Sequence, residues 1–505
     1  MFVHLFTAVA LMLGSAHTLP ATNAAPGWLD DYQTLEAQIG TRHLGSKSSE
    51  NLAWNESYVM RSYLDVYRKT RDTRWLDKLT AHADTVIAHA DDIDRDGFLG
   101  WSTARYSPVE LLNPSFETGT GAQPANWTRF QDAGTHIYRT TDVPAGTGTQ
   151  SVQLVSDQTR WKKLHQAVNA AYEGGTTYVL RGWGKRSGSV TGRVVLRDRS
   201  TPLCMLEYTA STWTYKETTC LLPAGRSLEV WLEHGSYASS GSASFDDIKL
   251  SGLFPYIVHD AMIGIPIAEF IQLVGSQPNL SAYNAKAVSY RAFLEHEIVP
   301  RWESSSYIGN TWQPIGTTEG TYVQSPNVDA FSHARSSSEL PYNMPLAFAN
   351  LLIVLASVSK NPTYLDRASR MARWARNDLV TLNGAYIWNY ATTTSTKEDL
   401  SHANVDLSAF LEFYRQSTVF TAADMAAFKN TFINKMWNGS ITAPVFSLRV
   451  DGSGSAGATD YFLHSWLDLA EWGSQVKTLV AAKYTGFIPN NSSHLITLAR
   501  LVKWE

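Results

Sequence analysis

Two patterns of hydrophobic and polar residues divide this chain. Within residues 109–251, apolar and polar side chains alternate, as at 151–155 (SVQLV) and 192–196 (GRVVL). Alternation with a period of two predicts half-buried strands, and a series of such strands predicts a β-sandwich. On both sides of this range the apolar residues recur at helical spacing instead. We therefore expect a β-sandwich inserted into a mainly helical chain.

The helical part repeats one theme. Residues 56–90 and 340–380 each contain a polar start, a long amphipathic helix, a short turn and a second helix. The turns at 73–78 (TRWLDK) and 363–367 (TYLDR) match, and each begins with a threonine that is predicted to start the second helix. Inner helices with outer partners predict an α/α toroid, either incomplete or closed by six to seven hairpins.

Length and charge add to this picture. A chain of 505 residues exceeds the usual range of one hydrophobic core, so two domains are expected. Charged residues make up 17% of the chain, the formal net charge is −4, and Lys and Arg are dispersed. This composition argues against a nucleic-acid partner. An anionic substrate would have to meet local positive charge.

The first 24 residues are predicted to be a signal peptide. An apolar run at 5–13 is followed by small residues up to Ala25. The run is too short to span a bilayer, so we expect a secreted or periplasmic protein with no membrane partner. In an exported protein, Cys204 and Cys220 are predicted to form a disulfide between adjacent strands, with free buried thiols as the alternative.

Polar residues cluster where the apolar helices of the host are predicted to begin. They are His259, Asp260, Tyr342, Asn343, His402, Asn404, Asp406, Tyr461 and His464. A single histidine at a helix start is more often a cap or a core residue. In a toroid, however, these starts converge on one mouth, and four of them together favour a functional site.

The densest polar segment is residues 388–406. Asp399 or Ser401 is predicted to cap the helix there. Asp406 follows His402 by four residues, so it would share a helix face with the imidazole and orient it. A second cluster at 329–343 contributes an imidazole, a cation, a phenol and an amide.

These features resemble known families. The host, residues 25–108 and 252–505, resembles the α/α-toroid polysaccharide lyases that act on uronate polymers such as alginate and glucuronan. The insert, through its opening at 113–117 (NPSFE) and its close at 245–250 (FDDIKL), resembles the jelly-roll carbohydrate-binding modules of secreted polysaccharide-degrading enzymes. The resemblance implies β-elimination of an anionic, uronic-acid-containing polysaccharide.

The resemblance also implies roles for single residues. In such lyases an Asn, His or Arg neutralises the uronate carboxylate, a Tyr or His removes the C5 proton, and a Tyr protonates the leaving oxygen. The matching residues are Asn343, Arg335 and His402 as neutralisers, His402 or His333 as the base, and Tyr390 or Tyr342 as the acid.

Two other functions stay open. Glycoside hydrolases also use α/α toroids, with two carboxylates flanking the scissile bond. The available carboxylates are Glu319, Glu339, Glu398, Asp399 and Asp406. Burial of Asp406 would raise its pKa, as a general acid requires. The third possibility is a glycan-binding protein without catalysis.

Several residues are candidates for contact with substrate. A glycine turn precedes each of three host tryptophans, which are predicted either to stack on sugars or to lie in the core. With the polar mouth residues, the host candidates are Trp101, Trp312, Trp388, Asn404, His259 and His464. In the insert, Trp161 lies beside Lys162 and Lys163 and is predicted to be a platform for an acidic glycan. Trp183 and Trp231 are predicted to be core residues.

A structural calcium ion is a further expectation. Modules that resemble the insert often hold one, and Glu117 and Asp247 match its ligands. The alternative is that they are ordinary polar residues at strand ends. No cofactor is expected for catalysis.

Overall fold

The structure is a computed structural model that describes residues 27–92, 97–107, 109–132, 134–168, 177–222, 227–304, 309–325 and 339–505. The predicted signal peptide lies outside the described residues, as do His333 and Arg335. The chain is mixed, with helices in the host and antiparallel sheets in the insert.

Fourteen α-helices lie in the described residues. They are α1 Trp28–Ile39, α2 Ser49–Asn51, α3 Ser57–Thr70, α4 Arg74–Ala88, α5 Ile257–Ser276, α6 Asn284–Phe293, α7 Val299–Ser304, α8 Asn343–Ala356, α9 Pro362–Asn377, α10 Leu400–Arg415, α11 Ala422–Thr431, α12 His464–Asp468, α13 Gln475–Tyr484 and α14 Ser492–Trp504. Short π-helical turns occupy Leu52–Glu56, Leu294–Ile298 and Phe432–Met436, and 3₁₀ turns occupy Pro278–Tyr283, Gly457–Tyr461 and Leu469–Trp472.

Six of the helices make a closed cycle of contacts. In chain order, α3, α5, α8, α10, α12 and α14 each pack on the next, and α14 packs back on α3. Outer partners lie against several of them, since α4 contacts α3, α6 contacts α5 and α9 contacts α8. The predicted pairing of buried inner helices with outer partners is therefore present in the host.

Helix α5 illustrates why these helices are apolar on most sides. Every residue from Ile257 to Ile271 is buried. By length and composition α5 would also suffice to cross a membrane, but 94% of its most apolar window is buried inside the protein. Neighbouring helices cover it on nearly all sides, which accounts for its hydrophobicity.

Buried ion pairs join helices of this cycle. Arg61 of α3 lies 2.6 Å from Glu269 of α5. Arg500 of α14 forms an ion pair with Asp65 of α3, with Nε 2.5 Å from Oδ2, and a second ion pair with Asp468 of α12. Removing one partner of a buried pair costs about 3–5 kcal/mol, because the other charge is left uncompensated. These contacts fix which helices are neighbours.

The strands are short in the host and longer in the insert. They are β1 Ser102–Thr103, β2 Gly119–Thr120, β3 Gln123–Pro124, β4 Thr128–Phe130, β5 Ile137–Thr140, β6 Ser151–Val155, β7 Lys163–Ala167, β8 Thr177–Gly188, β9 Gly192–Asp198, β10 Thr201–Tyr208, β11 Thr214–Leu221, β12 Leu228–His234, β13 Gly241–Gly252, β14 Phe254–Pro255, β15 Trp312–Ile315, β16 Glu319–Tyr322, β17 Val380–Leu382 and β18 Ala385–Ile387. The alternating runs at 151–155 and 192–196 lie in strands, as predicted.

Two five-stranded antiparallel sheets form the insert. Their strand orders are β10-β9-β12-β7-β4 and β11-β8-β13-β6-β5. Inward side chains of both sheets share a core that runs from Leu111 to Leu250 and is separate from the host core. Where the chain enters and leaves the insert, β1 pairs with β14, so both junctions lie together.

The predicted disulfide is present between Cys204 and Cys220, with their Cα atoms 5.6 Å apart. Its strands differ from the expectation. Cys204 lies on β10 and Cys220 on β11, and these are edge strands of different sheets. The bond therefore ties the two layers together at one edge.

The predicted helix starts are confirmed to within a few residues, but two caps differ. Helix α9 begins after Asn361, whose side chain accepts a hydrogen bond from the backbone N–H of Thr363 at 3.0 Å. At α4, Asp72 accepts from the N–H of Arg74 at 3.0 Å. The matching threonines of the two turns are thus not the side chains that cap these helices, because Asn and Asp one or two residues earlier supply the acceptor.

Candidate functional site

The strongest candidate site lies where the β17–β18 hairpin leads into α10. The backbone of Tyr390 donates to Thr396 at 2.8 Å, and Asn389 and Lys397 form a β-bridge, which folds this connection back on itself. The N–H of Tyr342, just before α8, donates to the carbonyl of Tyr390 at 3.0 Å. The starts of α8 and α10 are therefore held next to each other.

Asp399 fixes the first turn of α10. One carboxylate oxygen accepts from the backbone N–H groups of Ser401 at 2.9 Å and of His402 at 3.0 Å, which confirms the predicted cap. The other oxygen lies 2.7 Å from Nδ1 of His402. Asp399 thus caps the helix and holds the imidazole at the same time.

The prediction that Asp406 orients His402 is wrong in its choice of partner. The carboxylates against the imidazole are those of Asp399 and, at 3.6 Å, Glu398. Asp406 instead accepts from Nε1 of Trp388 at 2.9 Å. The cap residue precedes the helix, so its side chain can turn back onto the ring.

Glu398 and Asp406 form a buried acidic pair. Neither residue has exposed surface. Burial raises the pKa of Glu398, and burial together with the charge of Glu398 raises the pKa of Asp406 well above its ordinary value. Oε2 of Glu398 and Oδ1 of Asp406 accept no hydrogen bond from any other described group, and a hydrogen bond between the two carboxyl groups adds to the raised pKa of Asp406.

The carboxylates also control the charge of His402. Burial lowers the pKa of His402, but Asp399 and Glu398 outweigh it and raise that pKa well above its ordinary value. About a fifth of the His402 side chain is exposed, at 21%. The imidazole therefore reaches the surface of the site while its Nδ1 side faces carboxylates.

Tyr390 lies beside His402. The two rings have centroids 5.4 Å apart and an interplanar angle of 31°. Burial and the charges of Glu398, Asp399 and Asp406 raise the pKa of Tyr390 above its ordinary value. Its phenol thus keeps its proton at neutral pH, which suits an acid rather than a base.

Tyr342, the alternative acid, is placed differently. Its side chain is buried, its hydroxyl donates to Asp378, and its ring lies 4.5 Å from that of Trp374. The hydroxyl is occupied inside the protein, so only Tyr390 of the predicted pair lies beside His402. Asn343, the next residue, is buried, and its Oδ1 has no partner among the described residues.

His259 and His464 are buried and neutral. Nδ1 of His259 lies 2.8 Å from Oγ of Ser49, and burial lowers the pKa of His259 to about 3. The side-chain Nδ2 of Asn404 lies 2.7 Å from Nε2 of His464, and burial lowers the pKa of His464 well below its ordinary value. The structure brings Asn404 and His464 together, but it places them in the interior rather than on a substrate surface.

The three host tryptophans predicted to contact substrate are core residues in this structure. Trp101 donates from Nε1 to the carbonyl of Val86 at 2.9 Å and is 1% exposed, and Trp388 is bonded to Asp406 as described. Trp312 is 9% exposed, with the guanidinium of Arg367 4.1 Å above its ring. The expectation that these rings stack on sugars is thus corrected, because Trp101 and Trp388 are buried with their N–H groups bonded internally and Arg367 covers the ring of Trp312.

Three aromatic residues near the helix starts were not predicted from the residue patterns. Trp54 and Tyr106 are half-buried and lie 5.7 and 5.8 Å from His259, measured between ring centroids. Tyr58 lies 5.0 Å from His464. Trp54 is in the π-helical turn Leu52–Glu56, which has no recognisable sequence pattern.

In the insert, aromatic rings lie on the outer face of the sheet that contains β12 and β7. Trp231 stacks on His165 at 4.2 Å, so its assignment to the core was wrong. Nζ of Lys163 lies 4.8 Å from the centroid of the Trp161 ring and 5.6 Å from that of Trp231. Lys162 is buried and bonds to Asp157 at 2.7 Å, so Lys163 alone is the lysine near both rings.

The predicted calcium ligands are near a third acid. Glu117 accepts from the backbone and hydroxyl of Thr149 at 2.8 and 2.7 Å, and Asp247 lies 2.8 Å from Nζ of Lys249. Asp246 is completely buried, and burial raises its pKa to about 7, with the charges of Asp247 and Glu117 adding to the shift. The calcium ion itself stays a prediction.

No protein-family model and no curated protein matches the sequence. Solved structures do match part of it. A family 16 carbohydrate-binding module is 24% identical, with a TM-score of 0.23, and the match covers 28% of this chain and 98% of that one. The module TmCBM61 in complex with β-1,4-galactotriose is 19% identical, with a TM-score of 0.24 and coverage of 29% and 99%. The CBM22-1 xylan-binding domain of Paenibacillus barcinonensis Xyn10C is 17% identical, with a TM-score of 0.24 and coverage of 30% and 97%. At these scores none of them assigns a function to this chain.

Proposed function

We propose that this chain is a secreted enzyme that binds a uronic-acid-containing polysaccharide and cleaves it by β-elimination. The observation that carries the proposal is the contact between Tyr390 and His402 at the start of α10, with Asp399 and Glu398 against the imidazole. The cycle of six inner helices supports an α/α toroid, in which helix starts meet at one mouth.

The reaction requires two proton transfers. The C5 proton of the uronate leaves to a base, and its electron pair forms the C4–C5 double bond. The bond between C4 and the glycosidic oxygen breaks, and that oxygen takes a proton. Tyr390 donates this second proton, because its phenol stays protonated next to the carboxylates. Because Asp399 and Glu398 keep the imidazole of His402 protonated, His402 suits the role of neutraliser, and the base is the other predicted histidine, His333, which lies outside the described residues.

Positive charge beside the uronate carboxylate makes the C5 proton easier to remove. Enolate-like charge develops in the transition state, and preorganised donors stabilise it. In this site the positive charge is that of the His402 imidazole, which Asp399 and Glu398 keep protonated, and the amide of Asn343 is another predicted neutraliser. Asn343 begins α8, next to the residue that bonds to Tyr390.

Burial favours elimination over hydrolysis at this position. A glycoside hydrolase places two carboxylates against the scissile bond. Glu398 and Asp406 have no exposed surface. The two acids with raised pKa values are therefore better suited to supporting the site from behind than to contacting a sugar.

The insert supports binding of a glycan. Trp161 and Trp231 lie near Lys163 and offer aromatic surface for sugar rings. Lys163 also lies 2.6 Å from Glu233, so the rings rather than an unpaired cation carry this part of the proposal. The disulfide between Cys204 and Cys220 suits an oxidising compartment outside the cytosol.

The test is an assay on the purified mature protein with alginate, glucuronan, pectate and glycosaminoglycans in turn. Ultraviolet absorbance of the conjugated uronate double bond is followed while reducing ends are counted. A rise in both with one polymer supports the proposal and identifies the substrate. Reducing ends without absorbance would indicate a hydrolase, and binding without either signal would indicate a non-catalytic glycan-binding protein.

A further inference from the structure

Two cations lie beside the His402 site without a carboxylate partner. Nζ of Lys397 donates to Oδ1 of Asn389 at 2.8 Å, and Nη1 of Arg449 donates to the carbonyl of Lys397 at 2.6 Å. Both acceptors are neutral, and neither cation forms an ion pair with a carboxylate among the described residues. Both side chains are partly exposed. Their charges are therefore held in position and stay available to a ligand.

The backbone places these two cations on one face. The segment that leads into α10 lies between two others, because Lys397 forms an antiparallel bridge with Asn389 and Asp399 forms one with Arg449. Side chains alternate along extended backbone, and directly opposite residues share a face. The four bridged residues therefore lie on the same face. Glu398 belongs to the other face and is completely buried.

The face with the cations adjoins the imidazole of His402. Oδ2 of Asp399 lies 2.7 Å from Nδ1 of His402, and Lys397 precedes Asp399 by two residues. Two residues of extended backbone span about 7 Å. This span is comparable to the length of one sugar unit. A polymer whose cleaved sugar lies at His402 therefore brings a neighbouring sugar to Lys397 and Arg449.

The acids near these cations are engaged elsewhere. Asp399 lies opposite Arg449, but its oxygens accept from the backbone of His402 and lie against its ring. Asp451 accepts from the backbone and hydroxyl of Ser453 at 3.0 and 2.7 Å. Because the ring of His402 stays protonated, positive charge exceeds negative charge on this face. Such a surface attracts a polyanion.

We propose that Lys397 and Arg449 bind the carboxylate of the uronate next to the one that is cleaved. The inference deepens the proposed function and rests on it for the reaction, whereas the binding itself rests on the geometry. Both cations form strong hydrogen bonds with carboxylates, and a guanidinium can donate two in parallel. The substrate class that fits is a polymer with uronates in consecutive positions, rather than one in which uronates alternate with amino sugars.

The test is isothermal titration calorimetry of the mature protein with Tyr390→Phe, so that the ligand is not consumed. The ligands are the trisaccharides of mannuronate, guluronate, glucuronate and galacturonate, each compared with the same trisaccharide after reduction of its carboxyl groups to alcohols. At least one acidic trisaccharide should bind more tightly than its reduced form. Lys397→Gln and Arg449→Gln should each weaken that binding by about tenfold and leave binding of the reduced form unchanged.

Arg373→Gln is the matched control, because Arg373 also donates to a backbone carbonyl, that of Thr318 at 2.6 Å, but lies on the outer helix α9. It should bind the acidic trisaccharide as the parent protein does. Arg449→Lys should keep most of the affinity, which separates loss of the charge from a disturbed backbone. If no acidic trisaccharide binds, or if Lys397→Gln and Arg449→Gln bind it as tightly as the parent, the inference is overturned.

The outcome can be separated from that of the proposed function. Binding that depends on Lys397 and Arg449, in a protein that forms no unsaturated uronate from any polymer, would support this site and contradict the proposed function. With Tyr390 in place, elimination at an unchanged KM in both variants would contradict the site and support the proposed function.

Discussion

Trp101 and Trp388 of the host differ in their surroundings from Trp161 and Trp231 of the insert. In the host, Trp101 and Trp388 are buried, and their Nε1–H groups bond to Val86 and Asp406. In the insert, Trp231 lies on an outer sheet face, stacked on His165. These two host rings therefore hold polar groups in place, whereas Trp161 and Trp231 are partly exposed.

The chemistry of the two regions differs in the same way. Around α10 the working groups are a phenol, an imidazole and carboxylates, and burial sets their pKa values. On the sandwich face they are two indole rings near one lysine. Substitutions in the host should therefore change turnover or folding, and substitutions in the insert should change retention of the polymer.

The largest effect is expected from Tyr390→Phe. Loss of the proton donor should lower kcat by about 10²–10⁴-fold, with an unchanged far-ultraviolet circular dichroism spectrum. Tyr386→Phe is the control, because Tyr386 lies four residues earlier and its hydroxyl bonds to Asp424, away from the site. Equal turnover in the two variants would remove Tyr390 from the mechanism.

Trp101→Ala should destabilise the host by about 3–5 kcal/mol, because it removes a fully buried ring and its hydrogen bond. Trp161→Ala should cost less than about 1 kcal/mol, because its ring is only half-buried at the surface of the sandwich. Denaturant unfolding followed by circular dichroism measures both. Similar losses would contradict the contrast between the two regions.

Replacing both cysteines, Cys204→Ser with Cys220→Ser, should destabilise the insert by about 3 kcal/mol, because the bond closes a loop with a sequence separation of 16. Differential scanning calorimetry should show a shift in the transition of the sandwich while the transition of the host stays in place. If the host transition moves by the same amount, the two cores unfold as one unit.

The smallest effect is expected from Trp231→Ala, which should weaken binding of the polysaccharide by about tenfold and leave kcat unchanged. Affinity electrophoresis in gels that contain the polymer measures the retention. Met205→Ala provides a control on an exposed residue of an edge strand in the same sheet. Equal retention of Trp231→Ala and the unaltered protein would show that glycans bind elsewhere.

Much of the fold could be predicted from residue patterns. Alternation located the strands at 151–155 and 192–196, and apolar runs after polar residues located the starts of α5, α8, α10 and α12. The cap at Asp399 was predictable as well, because Asp before an apolar helix has a strong local preference. These features depend on neighbours in the sequence.

The contacts within the site depend on neighbours in space. Asp406 has the right spacing to share a helix face with His402, but Asp399 turns back from the cap and lies closer to the ring. The glycine that precedes Trp101 or Trp388 predicts a turn, yet it does not determine whether the ring faces solvent or the core. For Trp231, alternation predicts which residues share a face of the strand, but it does not show whether that face lies against the second sheet or on the outside of the sandwich.

The fate of solvent oxygen distinguishes cleavage of a uronate polymer by elimination from cleavage by hydrolysis. The polymer identified in the absorbance assay is digested in water enriched in heavy oxygen, and the products are weighed by mass spectrometry. Elimination adds no water, so we expect oligosaccharides that end in an unsaturated uronate and gain no heavy oxygen from the cleavage. Products that are heavier by one water and carry the heavy isotope at the new reducing end would contradict it.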